Sequence, residues 1–157
     1  MAIKVGARID GLAELYAALG SSADQLDAAI ADVLNATGLE LETEIKRRYD
    51  RSPATGRIYQ KYNPRRTHQA SAPGQPPRSD TGRLSNSVLY RKVSQLVVEV
   101  VTAGGKDGDK DGAIKYAAAL EYGTATIKPR PLWRQVALEA EPKLKQRLER
   151  TVAAFTR

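Results

Sequence analysis

The chain contains no cysteine, one histidine, one tryptophan and one phenylalanine, and each scarcity closes off a class of function. Without cysteine there is no disulfide framework, no thiolate nucleophile and no thiolate metal site, and a lone imidazole, His68, cannot build a multi-histidine centre. Aromatic residues make up only 6% of the chain and the mean hydropathy is −0.46, so the core is expected to be thin and part of the stability to come from outside the monomer. Long apolar runs are also missing. No window approaches the ~18 apolar residues of a membrane span, and residues 1–20 lack the apolar core of about 7–15 residues found in a secretory leader. The expectation is a protein made and kept in a cytoplasm, with no membrane partner.

At 157 residues the length predicts one domain, 1–157, able to bury roughly 68–70% of its unfolded surface. Charge is present in quantity but unevenly placed. The net charge of +7 resolves into −6 over residues 1–45, +10 over 46–92 and +3 over 93–157. Such polarity suits nucleic acid, an acidic protein surface, or the acidic end of a neighbouring copy, and charge alone does not choose among them.

Periodicity predicts a short amphipathic helix from Asp10 to Gly20, carrying Leu12, Leu15, Tyr16 and Leu19. After Ser21 and Ser22 a longer helix carries Leu26, Ile30, Val33, Thr37, Leu41, Ile45 and Tyr49 on one stripe. Its basic end, Lys46-Arg47-Arg48, suits the negative end of the helix dipole. Residues 51–82 break every periodicity and hold five of the eight prolines, which predicts an extended basic arm that orders against a partner. SNSVLYRKV and QLVVEVVTA then read as a hairpin linked at Ser94-Gln95, the second strand central because it is apolar on both faces. GGKDGDKDG (104–112) reads as a solvated loop, AIKYAAALEYG as a helix stopped by Gly123, and ATIKPRP as extended chain. The final helix is expected to begin at Pro131, to repeat Trp133, Val136, Ala137, Ala140, Leu144, Leu148, Val152 and Phe155, and to kink or split at Pro142. The fold class that follows is α+β: a small, mostly antiparallel sheet with helices on one face, a long N-terminal helix pair, a C-terminal helix and the Pro-rich arm.

Several residues invite a chemical reading. Asp107, Asp109, Asp111 and Gly112 match the first half of an EF-hand calcium loop, but the position that requires a bidentate glutamate is Ala118. His68 and Ser71 lie together on the arm without a rigid base or oxyanion site. Glu121, in YAAALEYGTATIKPRPLW, has no partner acid or base in sequence, which favours a joint or contact role over acid catalysis. The stretch KRRYDR…GRIYQKYNPRRTH interleaves cations with Tyr49, Tyr59 and Tyr62, the composition of a surface that tracks a nucleic-acid backbone and stacks bases.

Two stretches carry a resemblance. HQASAPGQPPRSDTGRLSNSV (68–88) supplies Ser71-Ala72-Pro73-Gly74 and Thr81-Gly82-Arg83-Leu84 with Ser87. YAAALEYGTATIKPRPLW (116–133) supplies Tyr116-Ala117, Glu121-Tyr122-Gly123-Thr124 and Pro129-Arg130-Pro131-Leu132 ahead of Trp133. In this order and spacing the chain resembles the HK-ninety-seven gene-ten-like tail-component family of tailed double-stranded DNA phages and prophages. The resemblance implies a non-enzymatic virion protein without cofactor, of the tail-completion, neck or head–tail joining kind. Its expected partners are further copies of itself in a ring, commonly of about six, the head connector or portal side and the tail-tube proteins, with transient contact to genomic DNA. Location in the virion neck or tail after assembly in the host bacterial cytoplasm goes with this. The contact residues expected on that reading are Arg57, Tyr59, Arg65, Arg66, His68, Arg83, Glu121, Tyr122 and Arg130, with Pro73, Gly74, Gly82, Leu84, Gly123, Thr124, Pro129, Pro131 and Trp133 as structural motif residues. The alternative is a nucleic-acid-binding protein that uses the basic arm 46–83.

Overall fold

A computed structural model of the chain describes residues 2–5, 17, 20–62, 65–103 and 112–155. The elements in order are β1 (Ala2–Val5), a 3-10 turn (Gly20–Ser22), α1 (Ala23–Arg51), β2 (Ile58–Tyr62), β3 (Arg65–Gln69), α2 (Arg83–Asn86), β4 (Val88–Ser94), β5 (Val97–Thr102), α3 (Gly112–Tyr122) and α4 (Trp133–Phe155). The fold is α+β, and both of its sheets are antiparallel. One is the three-stranded β1-β5-β4 and the other is the two-stranded ribbon β2-β3.

The long helix α1 forms because its apolar residues recur at steps of three and four, and that stripe is what it buries: Leu26, Ile30, Leu34, Leu41, Ile45 and Tyr49. It lies against β4, β5 and α4. Two clusters fill the space between them. Near the C-terminal end of α1, Leu41, Ile45 and Tyr49 meet Val88, Val100, Leu132, Trp133 and Val136; toward its start, Leu26, Ile30 and Leu34 meet Val98, Leu144 and Leu148. Gly38 sits where α1 crosses the sheet. A Cβ there would come within 2.5 Å of the Tyr90 ring, so the absence of a side chain sets how closely helix and strand approach.

The β5 strand is central, as its apolar character on both faces predicts, with β1 and β4 on either side. The β4-β5 turn falls at Gln95-Leu96, one residue later than read from sequence, and Ser94 pairs with Val97. On the outer side of β4, the Tyr90 N–H donates to Glu42 Oε2 at 2.7 Å and the Tyr90 hydroxyl donates to Asn35 Oδ1 at 2.5 Å. The Glu42 side chain of α1 thus occupies a backbone hydrogen-bonding position that another strand would use.

Three expectations change. Residues 51–82 are not irregular throughout, since Ile58–Tyr62 pairs with Arg65–Gln69 as the ribbon, with Tyr59 opposite His68 and Tyr62 opposite Arg65. The C-terminal helix starts at Trp133, not Pro131, and continues through Pro142 as one helix. Pro142 and Leu138, the residue whose carbonyl its ring disturbs, are both exposed, so water can take up the lost backbone bond without breaking the core. The strand β1 has no counterpart in the sequence reading. The expected helix from Asp10 to Gly20 and the Asp-rich loop lie almost wholly outside the described residues.

The sole tryptophan donates its indole N–H to the Tyr49 hydroxyl at 2.8 Å in the buried centre of the larger cluster. Burial pushes the Tyr49 phenol well above its ordinary range, so it stays neutral. Tyr49→Phe would leave the indole N–H buried without an acceptor, and we expect a loss of about 1–3 kcal/mol in unfolding free energy. Urea denaturation followed by the fluorescence of that same tryptophan measures it.

Candidate functional site

Gly123 ends α3 because it adopts φ +76°, a conformation that a side chain disfavours, and its N–H closes back on the Ala119 carbonyl at 2.9 Å. The turn that follows is held by Thr124, whose hydroxyl accepts from the N–H groups of Thr126 and Ile127. The chain then reverses into Pro129-Arg130-Pro131. The Arg130 N–H donates to the Leu120 carbonyl at 2.6 Å, which lays the entry to α4 alongside the end of α3.

At that entry the residue in the N-cap position is Leu132, whose carbonyl accepts from the Val136 N–H. Leucine has no oxygen with which to cap the orphan N–H groups of a first turn. Glu121 supplies it from the neighbouring helix. One carboxylate oxygen accepts from the N–H groups of Leu132 (2.8 Å) and Trp133 (3.0 Å), and the other accepts from Arg134 (2.9 Å). Only 6% of Glu121 is exposed. Both oxygens are committed inside the chain, so Glu121 is an internal cap and not the subunit contact expected from sequence. Arg130 is likewise turned inward, its Nε donating to the Ser71 carbonyl at 3.1 Å.

The Ser-Ala-Pro-Gly step joins the same place. The Gly74 N–H donates to the Pro129 carbonyl at 3.0 Å, while exposed Pro73 stands at the turn before it. Gly82 opens α2 with φ +76°, and Leu84 packs onto the cluster that holds Trp133. The structure therefore brings Ser71 to Gly74, Gly123 and Thr124, Pro129 to Pro131, and Trp133 into one hydrogen-bonded joint around Glu121. Tyr122 is not part of it and is 73% exposed.

The ribbon stands over this joint and is tied down by one carboxylate. Asp80 pairs with Lys61, with Arg66 at 2.6 Å and with His68 Nδ1 at 3.4 Å. Burial acts to raise the Asp80 carboxyl, but the Lys61 ammonium, with His68 and Arg66, outweighs it and holds the group below the usual carboxylate range. Sequence reasoning missed Asp80, although a signal was present: it is the sole acidic residue among 51–82, where six cations surround it. The ribbon's other face is bare. Ile58 is 60% and Tyr62 81% exposed, and Arg57 lies 5.4 Å from the centroid of the Tyr59 ring. Arg65 and Arg83 are exposed as well. His68 thus serves as a partner of Asp80, and the Ser71 hydroxyl has no hydrogen-bond partner among the described residues.

Among the described residues no group of three or more His, Cys, Asp or Glu side chains is placed to hold a metal, and no helix is long and apolar enough to cross a membrane.

Two outcomes are expected. Glu121→Ala strands three N–H groups at the start of α4 and should cost on the order of 3 kcal/mol in denaturant unfolding, more than loss of an ordinary side-chain cap. Asp80→Asn should leave the melting temperature nearly unchanged while accelerating tryptic cleavage after Arg65 and Arg66, because it frees the ribbon and not the core. The pH dependence has a defined sign: with the folded-state pKa depressed, the stabilisation from the Asp80 latch is fully present above the ordinary aspartate range and is lost as pH falls through the lowered folded-state value. Comparison of the chain with protein-family models, with curated proteins and with solved structures finds no match to any of them.

Proposed function

We propose that this chain is a structural virion protein of a tailed double-stranded DNA phage or prophage, assembling as a ring at the head–tail interface to complete the tail or join it to the head connector. The observation that carries the reading is where the motif residues go. Three of the four sequence steps that resemble the tail-component family, at 71–74, 121–124 and 129–132, meet in one internal joint whose hydrogen bonds are spent on holding α3, α4 and the arm together. They build a rigid body from which a basic ribbon stands out.

The ribbon is the natural contact element. A two-stranded sheet is marginal by itself, and Ile58 and Tyr62 leave its outer face uncovered. In a ring, each subunit offers one surface and receives a different one, so a protruding ribbon and a distant body surface suit a heterologous interface. The described stretch 20–45 carries six carboxylates and no cation; Glu40, Glu42 and Glu44 pair with cations elsewhere in the same chain, so the acidic field that attracts the ribbon of the next copy centres on the N-terminal half of α1.

Size-exclusion chromatography with light scattering, alone and after mixing with connector and tail-tube proteins, tests the assembly. A discrete ring, or a monomer that joins only when those partners are added, is the expected result; a monomer indifferent to both overturns it. Arg65→Glu combined with Arg83→Glu changes two exposed side chains, so folding should persist while assembly weakens. Undiminished assembly of that double variant would remove charge complementarity from the account.

A further inference from the structure

Between the ribbon and the joint lies a cavity of about 630 Å³, within the range of about 300–1,000 Å³ typical of small-molecule sites. Its charge is one-sided. Lys61, Arg78, Arg83 and Arg130 line it against a single carboxylate, Asp80, which already serves Arg66 and His68 besides Lys61. Two of the arginines are oriented by main-chain carbonyls, Arg130 by Ser71 at 3.1 Å and Arg78 by Ser52 at 3.0 Å. A carbonyl aims a guanidinium without neutralising it, so the positive charge remains available to an anion. The groove along α1 and α4 differs, because there Arg48 pairs with Glu139 and Arg147 with Glu40.

A second observation is independent of charge. Ser71 lines the cavity and is 1% exposed, yet its hydroxyl has no hydrogen-bond partner among the described residues. Buried hydroxyls without partners are costly and uncommon, and a bound oxyanion would satisfy this one. Two tyrosines, Tyr59 and Tyr116, line the same space and remain substantially exposed. Aromatic rings beside unneutralised arginine are the combination that holds a phosphate while a base stacks. An acidic peptide would meet the charge but has no ring to lay against the tyrosines, and a bare phosphate would fill little of the volume.

We propose that this cavity binds a nucleotide unit, its phosphate on Arg78, Arg130 and the Ser71 hydroxyl and its base against Tyr59 or Tyr116. The unit can come from a free nucleotide or from a nucleic-acid strand. The site belongs to a single chain, so it stands apart from ring assembly and its test does not depend on it.

The probe is a fluorescein-labelled oligodeoxythymidine, read by anisotropy at several salt concentrations on the full chain, with dTMP, inorganic phosphate and polyglutamate as competitors. Saturable binding that dTMP displaces supports a site open to free nucleotide; binding that only the strand shows supports a strand as the source. Ser71→Ala removes a hydroxyl with no partner among the described residues, so it should leave thermal stability unchanged or slightly raised and weaken the probe by about 3–10-fold. Arg78→Gln should weaken it about 10-fold and lower the salt slope by about one. No saturable binding overturns the proposal, as does binding that both variants leave intact. Displacement by polyglutamate as readily as by dTMP also overturns it, since charge alone would then explain the affinity.

Discussion

The Glu121 carboxylate is the constraint on which the architecture turns. A helix that begins at Trp133 with leucine in its capping position has no local means of satisfying its first N–H groups, and the oxygen comes from a different helix. That dependence fixes α3 against α4. The fixed pair then sets Leu132 and Trp133 into the main cluster, where Tyr49 receives the indole N–H and carries the constraint into α1. The carboxylate also lies near the positive end of the α4 dipole, so charge, hydrogen bonding and packing favour the same arrangement.

Arginines at the same end of α1 tie the two long helices in a more exposed way. Arg48 reaches Glu44 on its own helix and Glu139 on α4. Hydrogen bonding from Arg47, helped by Arg48, pulls the Glu44 carboxyl from an ordinary 4.5 down to about 2. Its contribution is therefore present above the ordinary value and disappears only as pH falls toward about 2. Because these groups are partly solvated, their contribution to stability is modest beside that of the buried clusters.

Much of this was legible in the sequence, and the exceptions share a cause. The α1 and α4 stripes and the central position of β5 follow from periodicities that burial imposes on Leu26 through Tyr49 and on Val97 through Thr102. The ribbon left no such trace, because IYQKY and RRTHQ bury no continuous apolar face and their pairing is carried by backbone bonds. The role of Glu121 was half legible: its isolation from other acids and bases pointed to a joint, but the joint closes on Leu132 to Arg134, residues brought back only by the Gly123 and Pro129-Arg130-Pro131 turns. Asp80 was hidden for a similar reason, as its partners lie across the arm on Lys61, Arg66 and His68. Contacts made by folding the chain back on itself have no period to read.

The Glu42 carboxylate on the Tyr90 N–H bears on how copies of the chain can meet. A strand edge with free backbone groups invites indefinite sheet extension from one molecule to the next. Here a helix side chain occupies the position, and Gly38 lets the helix come close enough to put it there. Growth by adding strands beside β4 is blocked at Tyr90, so a contact between copies on that side would have to use side-chain surfaces. A side-chain contact of fixed geometry closes into a ring where its rotation returns to the first copy, and runs on as a filament where it does not.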